Sequence, residues 1–123
     1  MNIDRSYLEL SYFFTLYLIE DENIAQNIVV SLMDRYELLE EEPTKELLLS
    51  DSYKFCKNRM NSETEGYKLK LRGSSYLYYH LKYRPRKISE LLELDETAVF
   101  ELIEVVRSQM GQTHQGKETY ELN

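Results

Sequence analysis

An all-helical protein, a helical bundle followed by a C-terminal helix-turn-helix, is expected from three features of this chain. Turn-forming residues are scarce, with 4 Gly and 2 Pro in 123 residues. Leu, Glu and Tyr are abundant, and long stretches lack the turn clusters that usually separate strands. Apolar residues also recur at helical spacing in most segments, which is the main signal of amphipathic helices.

Residues 1–60 predict an N-terminal bundle of three helices. The stretch 4–19, DRSYLELSYFFTLYLI, is apolar on nearly every side. Asp21 is a suitable N-cap for the second helix, because its carboxylate can accept hydrogen bonds from the free amides of the first turn. Pro43 suits the first turn of the third helix. The residues at helical spacing that we expect to be buried are Leu8, Tyr12, Leu16, Ile19, Ile24, Ile28, Leu32 and Tyr36.

A linker is predicted at residues 61–75, which contain two glycines and alternating Lys and Leu. Ser62 and Glu65 could instead cap a short helix there. Residues 76–110 predict the helix-turn-helix region. Residues 111–123 are polar and interrupted by glycine, so we expect them to form a flexible tail.

The net charge of -7 is very unevenly distributed. Residues 1–53 carry 12 acidic and 3 basic side chains, residues 54–87 carry 2 and 10, and residues 90–123 carry 8 and 2. A basic centre of this density could bind phosphates through counterion release. It could equally neutralise the acidic segments on either side of it.

The tyrosines are densest in YLYYHLKY, residues 76–83, within the basic centre. Aromatic rings between cations can stack on unpaired bases. The alternative is that Tyr76, Tyr79 and Tyr83 are amphipathic core residues with their hydroxyls in water.

Two helices separated near Leu94 and Asp95 are predicted in the last ordered stretch, ISELLELDETAVFELIEVVRSQM, residues 88–110. Val99 and Ile103 belong to a spacing typical of one buried helix face. The pattern is that of a helix-turn-helix, whose second helix enters the major groove of DNA. Its apolar positions are Ile88, Leu91, Leu92, Leu94, Val99, Ile103, Val106 and Met110.

This stretch resembles the promoter-reading region of small bacterial sigma factors of the extracytoplasmic-function type. The residues in register with that family are Ile88, Glu90, Leu92, Leu94, Val99, Ile103 and Arg107. Upstream, Asp21, Ala25 and Val29 are similar to the family segment that docks on the polymerase clamp. Residues 56–58, Cys-Lys-Asn, are similar to its A-R-N stretch, which meets melted promoter DNA.

The resemblance implies a sigma-like transcription protein with RNA polymerase core and promoter DNA as partners. It implies DNA-binding roles for Lys54, Lys57, Arg59, Lys87, Thr97 and Arg107. It implies a polymerase-docking face formed by Gln26, Asn27, Val30, Met33 and Asp34.

The second predicted helix departs from the family where promoter contacts are expected. Glu93 replaces the turn glycine, and Phe100, Glu101, Leu102 and Val105 replace Lys, Ser, Arg and Arg. Carboxylates facing phosphates weaken the electrostatic attraction that dominates affinity for DNA. The alternative hypothesis is therefore a sigma-derived module that no longer reads DNA. It would bind a protein inhibitor or a second sigma-like subunit through Phe100, Glu101 and Glu104.

Catalysis finds no support in the sequence, and neither a cofactor nor a metal is expected. The chain has 2 His and no motif of metal-ligand or phosphate-loop spacing. The single cysteine, Cys56, has no internal disulfide partner. No apolar stretch reaches the length of a membrane span, and no leader peptide is evident. We expect a cytoplasmic protein without a membrane partner.

Overall fold

A computed structural model of the chain describes the backbone of residues 3–121 and the side chains of residues 3–110. Within this part the chain forms six α-helices and no strand, which confirms the all-helical prediction. The helices are α1 (Arg5–Ile19), α2 (Glu22–Leu39), α3 (Lys45–Asn58), α4 (Glu63–Ser75), α5 (Pro85–Leu92) and α6 (Glu96–Glu121). The predicted flexible tail, residues 111–123, lies outside the described side chains, and residues 122 and 123 lie outside the description altogether.

The buried face of α1 differs from the one predicted. Ser11, Phe14, Thr15 and Leu18 are buried, whereas the predicted set of Leu8, Tyr12, Leu16 and Ile19 is only half-buried. Because α1 is apolar on nearly every side, periodicity could not select its inner face. The small side chains allow α3 to approach closely, and the hydroxyls of Ser11 and Ser52 form a buried hydrogen bond there.

The start of α2 agrees with the prediction, and the start of α3 does not. The carboxylate of Asp21 accepts a hydrogen bond from the amide of Ile24 at 3.0 Å, so Asp21 is the N-cap of α2. In α3 the N-cap is Thr44, whose hydroxyl accepts from the amide of Leu47 at 3.1 Å. Pro43 therefore precedes the helix and is itself buried.

The segment predicted as a linker forms helix α4 instead. The hydroxyl of Ser62 accepts from the amide of Glu65 at 3.2 Å, which is the capping alternative noted above. Leu69 and Gly73 are buried in contact with the rest of the protein. Gly73 lies so close to Tyr53 of α3 and Leu92 of α5 that an added Cβ would stand 3.3 Å from each side chain. Glycine here reflects close helix packing, and therefore its presence does not mark a flexible connection.

One continuous helical rod connects α4 to the tyrosine-rich segment. Residues Tyr76–His80 follow α4 directly as a π-helical turn. The rod ends at Lys82, which has a positive φ of 62°. Pro85 occupies the first turn of α5. Proline is favoured there because its missing amide hydrogen has no helical acceptor.

The helices pack as a single core with α1, α3 and α4 at the centre. α2 packs on α1 and α3, and α6 packs on α4 and α5. The two halves of the sequence are joined directly, because α4 contacts α1 and α5 contacts α3. The hydroxyl of Ser50 donates to the carbonyl of Leu91 at 2.9 Å, and the hydroxyl of Tyr83 donates to Glu46 at 2.7 Å. Among the described residues, every helix is too short or too polar to cross a bilayer.

Candidate functional site

An apolar groove of about 700 Å³ runs along the outer surface between α1 and α2. On the α1 side it is lined by Leu8, Tyr12 and Phe13, and on the α2 side by Val29, Val30 and Met33, with Arg5, Glu9 and Gln26 at its edge. Phe13, Val30 and Met33 are exposed although all three are large and apolar. Contiguous exposed apolar surface of this kind is typical of interaction sites.

Three of the five residues predicted to contact the polymerase line this groove, namely Gln26, Val30 and Met33. The other two, Asn27 and Asp34, are exposed on α2 but do not line it. The stripe of Ile28, Leu32 and Tyr36 points into the core, and the residues that line the groove lie on the neighbouring face of α2.

The α1 wall of the groove was not predicted from the sequence. Leu8 and Tyr12 were assigned to the buried face, and Phe13 was assigned no role. The only available signal was that α1 has more apolar residues than one helix face requires. Arg5 and Glu9 at its edge form an exposed ion pair at 3.4 Å.

The helix that forms the α2 side of the groove, with the residues that flank it, is strongly acidic. Residues 20–42 carry eight acidic side chains and one basic side chain, Arg35. Glu22, Asp34 and Glu37 are all exposed on α2 itself. The surface therefore combines exposed apolar side chains with a surrounding negative potential, which would attract basic partners.

A tight turn connects α5 to α6. Glu93 has φ 55° and ψ 48°, the left-handed conformation in which glycine is the usual residue. This is the position at which the sigma-like pattern has its turn glycine. The amide of Leu94 donates to the carbonyl of Ser89 at 3.0 Å, and the amide of Val99 donates to the carbonyl of Asp95 at 3.1 Å. Ile88, Leu91, Leu92, Val99 and Ile103 are buried, as predicted.

The outer face of α6 is acidic. Thr97, Phe100, Glu101 and Glu104 are exposed on it. Leu102 is buried, so it offers no exposed apolar surface to a partner. The buried face of α6 is therefore wider than the stripe of Val99, Ile103 and Val106. The candidate protein contact on this helix is therefore limited to Phe100 and the two glutamates.

Three of the cations predicted to bind DNA are paired with carboxylates. Lys54 contacts Glu93 at 3.1 Å. Lys87 contacts Glu90 at 3.6 Å, and Arg107 contacts Glu104 at 2.8 Å. Lys57 and Arg59 are exposed near the end of α3. Thr97 lies in the first turn of α6, whereas Arg107 lies near the middle of that helix.

Part of the tyrosine cluster is internal packing. The rings of Tyr76 and His80 are stacked with centroids 4.7 Å apart, and Tyr17 packs against both rings. Burial raises the pKa of Tyr76 above its ordinary value. For this residue the interpretation as an amphipathic core tyrosine is confirmed.

Cys56 is inaccessible to solvent, and its burial raises the pKa of its thiol to about 12. A thiol in this state is a poor nucleophile and a poor metal ligand, since both roles require the thiolate. Among the residues that the structure describes, no three His, Cys, Asp or Glu side chains are placed to hold a metal ion together. Comparison of the chain with protein-family models, with curated proteins and with solved structures finds no match.

Proposed function

We propose that this chain is a sigma-derived docking module that binds RNA polymerase core through the groove between α1 and α2 and does not read promoter DNA with α6. The observation that carries the proposal is the groove itself. Three residues selected by the sigma-like pattern line an exposed apolar channel together with aromatic residues of α1. In a protein with one core, such a channel is unexplained unless something covers it.

The occupant that fits this channel is an amphipathic helix with a basic flank. The groove lies between the adjacent helices α1 and α2, and apolar side chains line both of its walls. This arrangement is used in helix-in-groove recognition. The acidic residues of α2 would face the basic flank, speed association and reject acidic competitors. Val30 and Met33 are the central contacts on the α2 side.

In this proposal α5 and α6 are a helix-turn-helix that has lost DNA binding. The left-handed conformation of Glu93 at the turn supports the assignment of α5 and α6 as a helix-turn-helix. The acidic outer face of α6 supports the loss of DNA binding, because Glu101 and Glu104 would face the phosphates and Arg107 is the cation beside them. That arginine is already neutralised by Glu104.

The packing of the two halves also argues against promoter reading. A sigma factor spans its promoter with two separate DNA-facing parts whose modest affinities add through the polymerase. Here α3 and α5 are held together by Ser50 with Leu91 and by Lys54 with Glu93, so the parts cannot separate without breaking the core. The proposal therefore requires only protein contacts.

The test is co-elution of the full chain with purified bacterial RNA polymerase core in size-exclusion chromatography. We expect the wild type to co-elute and Val30→Lys to lose binding at least tenfold, because a cation would enter an apolar channel facing a basic partner. The matched control is Leu38→Lys, which introduces the same charge on the same helix outside the groove. Val30 is 53% exposed and Leu38 is 86% exposed, so both variants should retain the wild-type helical content.

Equal retention of the two variants, or no binding by the wild type, would contradict the proposal.

The alternative function, direct promoter reading, is tested with duplex DNA in the absence of polymerase. We expect no retention by the wild type at physiological salt, and weak salt-dependent binding after Glu101 and Glu104 are both changed to Lys. Tight binding by the wild type that is lost on changing Lys54, Lys57 and Arg59 to Ala would favour the promoter-reading alternative.

A further inference from the structure

A recess of about 440 Å³ lies at the C-terminal end of the rod formed by α4 and the π turn. It is lined by Tyr78, Tyr79, Lys82, Tyr83, Arg84 and Pro85. Its size falls within the range of about 300–1,000 Å³ typical of small-molecule sites. Three aromatic rings and two cations in one recess form a chemically distinct surface from the apolar groove on α1 and α2.

The three tyrosines differ in what holds them. Tyr78 and Tyr83 pack against the core, and the hydroxyl of Tyr83 is committed to Glu46 at 2.7 Å. Tyr79 does not belong to the core packing. Its ring stands edge-on to Tyr78 with centroids 4.9 Å apart, and Arg107 hydrogen-bonds to its hydroxyl, so these two contacts fix its orientation and leave the ring face uncommitted. The ring of Tyr79 is therefore half-buried and held in one orientation, and the packing of the core does not depend on it.

The cations at this recess are unusually concentrated. Four of the six residues in KYRPRK, residues 82–87, are Lys or Arg, and none is acidic. Within the described part of the chain, Lys82, Arg84 and Arg86 form no ion pair. The acidic groups nearby are already engaged, since Glu46 is bonded to Tyr83 and contacts Lys45 at 3.9 Å. The recess thus has uncompensated positive charge beside an available aromatic face.

The left-handed conformation of Lys82 helps to create this arrangement. Its φ of 62° reverses the chain between the π turn and α5, with the amide of Tyr83 donating to the carbonyl of Leu77 at 2.9 Å. A lysine in this conformation costs about 1 kcal/mol relative to glycine or asparagine.

We infer that this recess binds a nucleotide, with the base stacked on Tyr79 and the phosphate held by Lys82 and Arg84. The combination of a positively charged groove and stacking aromatic rings is the one that recognises single nucleotides and unpaired strands. The ligand is either a free nucleotide or one nucleotide of a single strand, since both present the same base and phosphate. This site is separate from the groove on α1 and α2, and it does not depend on the proposed function.

The test compares adenosine monophosphate, inorganic phosphate and a short single-stranded oligonucleotide as probes of the full chain. Calorimetry measures the first two, and fluorescence anisotropy measures the third. We expect the nucleotide or the oligonucleotide to bind, and inorganic phosphate to bind at least tenfold more weakly than the tighter of them. Whichever of the two binds more tightly identifies the source of the ligand.

Variants of the recess separate the contributions of base and phosphate. Lys82→Asn combined with Arg84→Gln removes both charges, and asparagine tolerates the left-handed conformation, so the fold should be retained. We expect this pair to weaken binding at least tenfold. Tyr79→Leu should weaken binding about fivefold to a hundredfold by removing the stacking surface. Its matched control, Tyr67→Leu, removes an exposed tyrosine of α4 and should have no effect.

Three results would overturn the inference. The first is that neither the nucleotide nor the oligonucleotide binds. The second is that Tyr79→Leu binds them as tightly as the wild type, which would leave only an anion contact. The third is that Tyr67→Leu weakens binding as much as Tyr79→Leu, which would mean that the interaction is not specific to this recess.

Discussion

The hydroxyl of Tyr36 in α2 donates a hydrogen bond to a carboxylate oxygen of Asp51 in α3, and both side chains are almost completely buried. Burial raises the pKa of Tyr36 above its ordinary value, and the hydrogen bond and the negative charge of Asp51 add to this shift. The pair ties α2 to the core at the C-terminal end of the helix that lines the groove between α1 and α2.

Tyr36→Phe should destabilise the protein by about 1–3 kcal/mol, because it leaves a buried carboxylate without its donor. The variant keeps the ring, so packing is nearly unchanged and the loss reports the hydroxyl. Urea denaturation followed by circular dichroism measures it. Tyr67→Phe is the control, since its hydroxyl lies on an exposed side chain and its removal should change stability by no more than about 0.5 kcal/mol. Equal stability of the two variants would contradict a role for the buried pair.

Replacing each of the two glycines of α4 by a larger residue should change the stability of the protein in opposite directions. Gly66 has no atom near the position of an added Cβ, so Gly66→Ala should stabilise the helix by about 0.5–1 kcal/mol. Gly73 is in contact with Tyr53 and Leu92, so Gly73→Val should destabilise the protein by about 1–3 kcal/mol through overpacking. Thermal unfolding of both variants checks the pair of expectations. A neutral effect of Gly73→Val would mean that α4 is not closely packed on α3 and α5.

Phe100 and Val99 are adjacent in sequence and face opposite sides of α6. Phe100 is 52% exposed, whereas Val99 is fully buried at 0%. We expect Phe100→Ser to change the free energy of unfolding by less than about 0.5 kcal/mol, and Val99→Ser to reduce it by several kcal/mol through a lost core contact and a buried hydroxyl. Loss of helical content in Phe100→Ser would show that this ring belongs to the core and would exclude it from any partner surface.

Stability should fall as the pH rises above about 9, partly through Cys56. The folded thiol has a pKa of about 12 against an ordinary value of 9.0, because it is buried. Between these values the unfolded chain loses the thiol proton while the folded chain keeps it, so the folded state loses up to about 1.4 kcal/mol per pH unit relative to the unfolded state. In Cys56→Ala this decline should be smaller between pH 9 and pH 10, because only the buried tyrosines, whose ordinary pKa is 10.0, still contribute to it. Denaturation of both proteins at several pH values measures the free energy of unfolding. If it falls equally with rising pH in the variant and the wild type, the contribution of Cys56 is refuted.

Local signals in the sequence identified most of the helices. The cap at Asp21, the stripe of Ile28, Leu32 and Tyr36, and the buried residues of α5 all depend on contacts within one helix. Such contacts repeat with a fixed period, and the period is visible in the sequence. The resemblance to the sigma-factor segment, and not helical periodicity, selected Gln26, Val30 and Met33, which line the groove.

Features that depend on contacts between distant residues could not be predicted in this way. Gly73 suggested a linker, yet its role is to let Tyr53 and Leu92 approach α4. The inner face of α1 was misassigned because Ser11 and Thr15 are buried by the proximity of α3 and not by their own hydropathy. The α1 wall of the groove was missed for the same reason, since it exists only where two helices meet.

The pairing of α1 with α4 and of α3 with α5 has a consequence for dividing the molecule. Neither the first 60 residues nor the rest of the chain would keep its apolar interior covered if synthesised alone. The two pieces are nevertheless complementary, and mixing them should reconstitute the native assembly. The chain is therefore a natural candidate for a split reporter whose signal depends on reunion of its fragments.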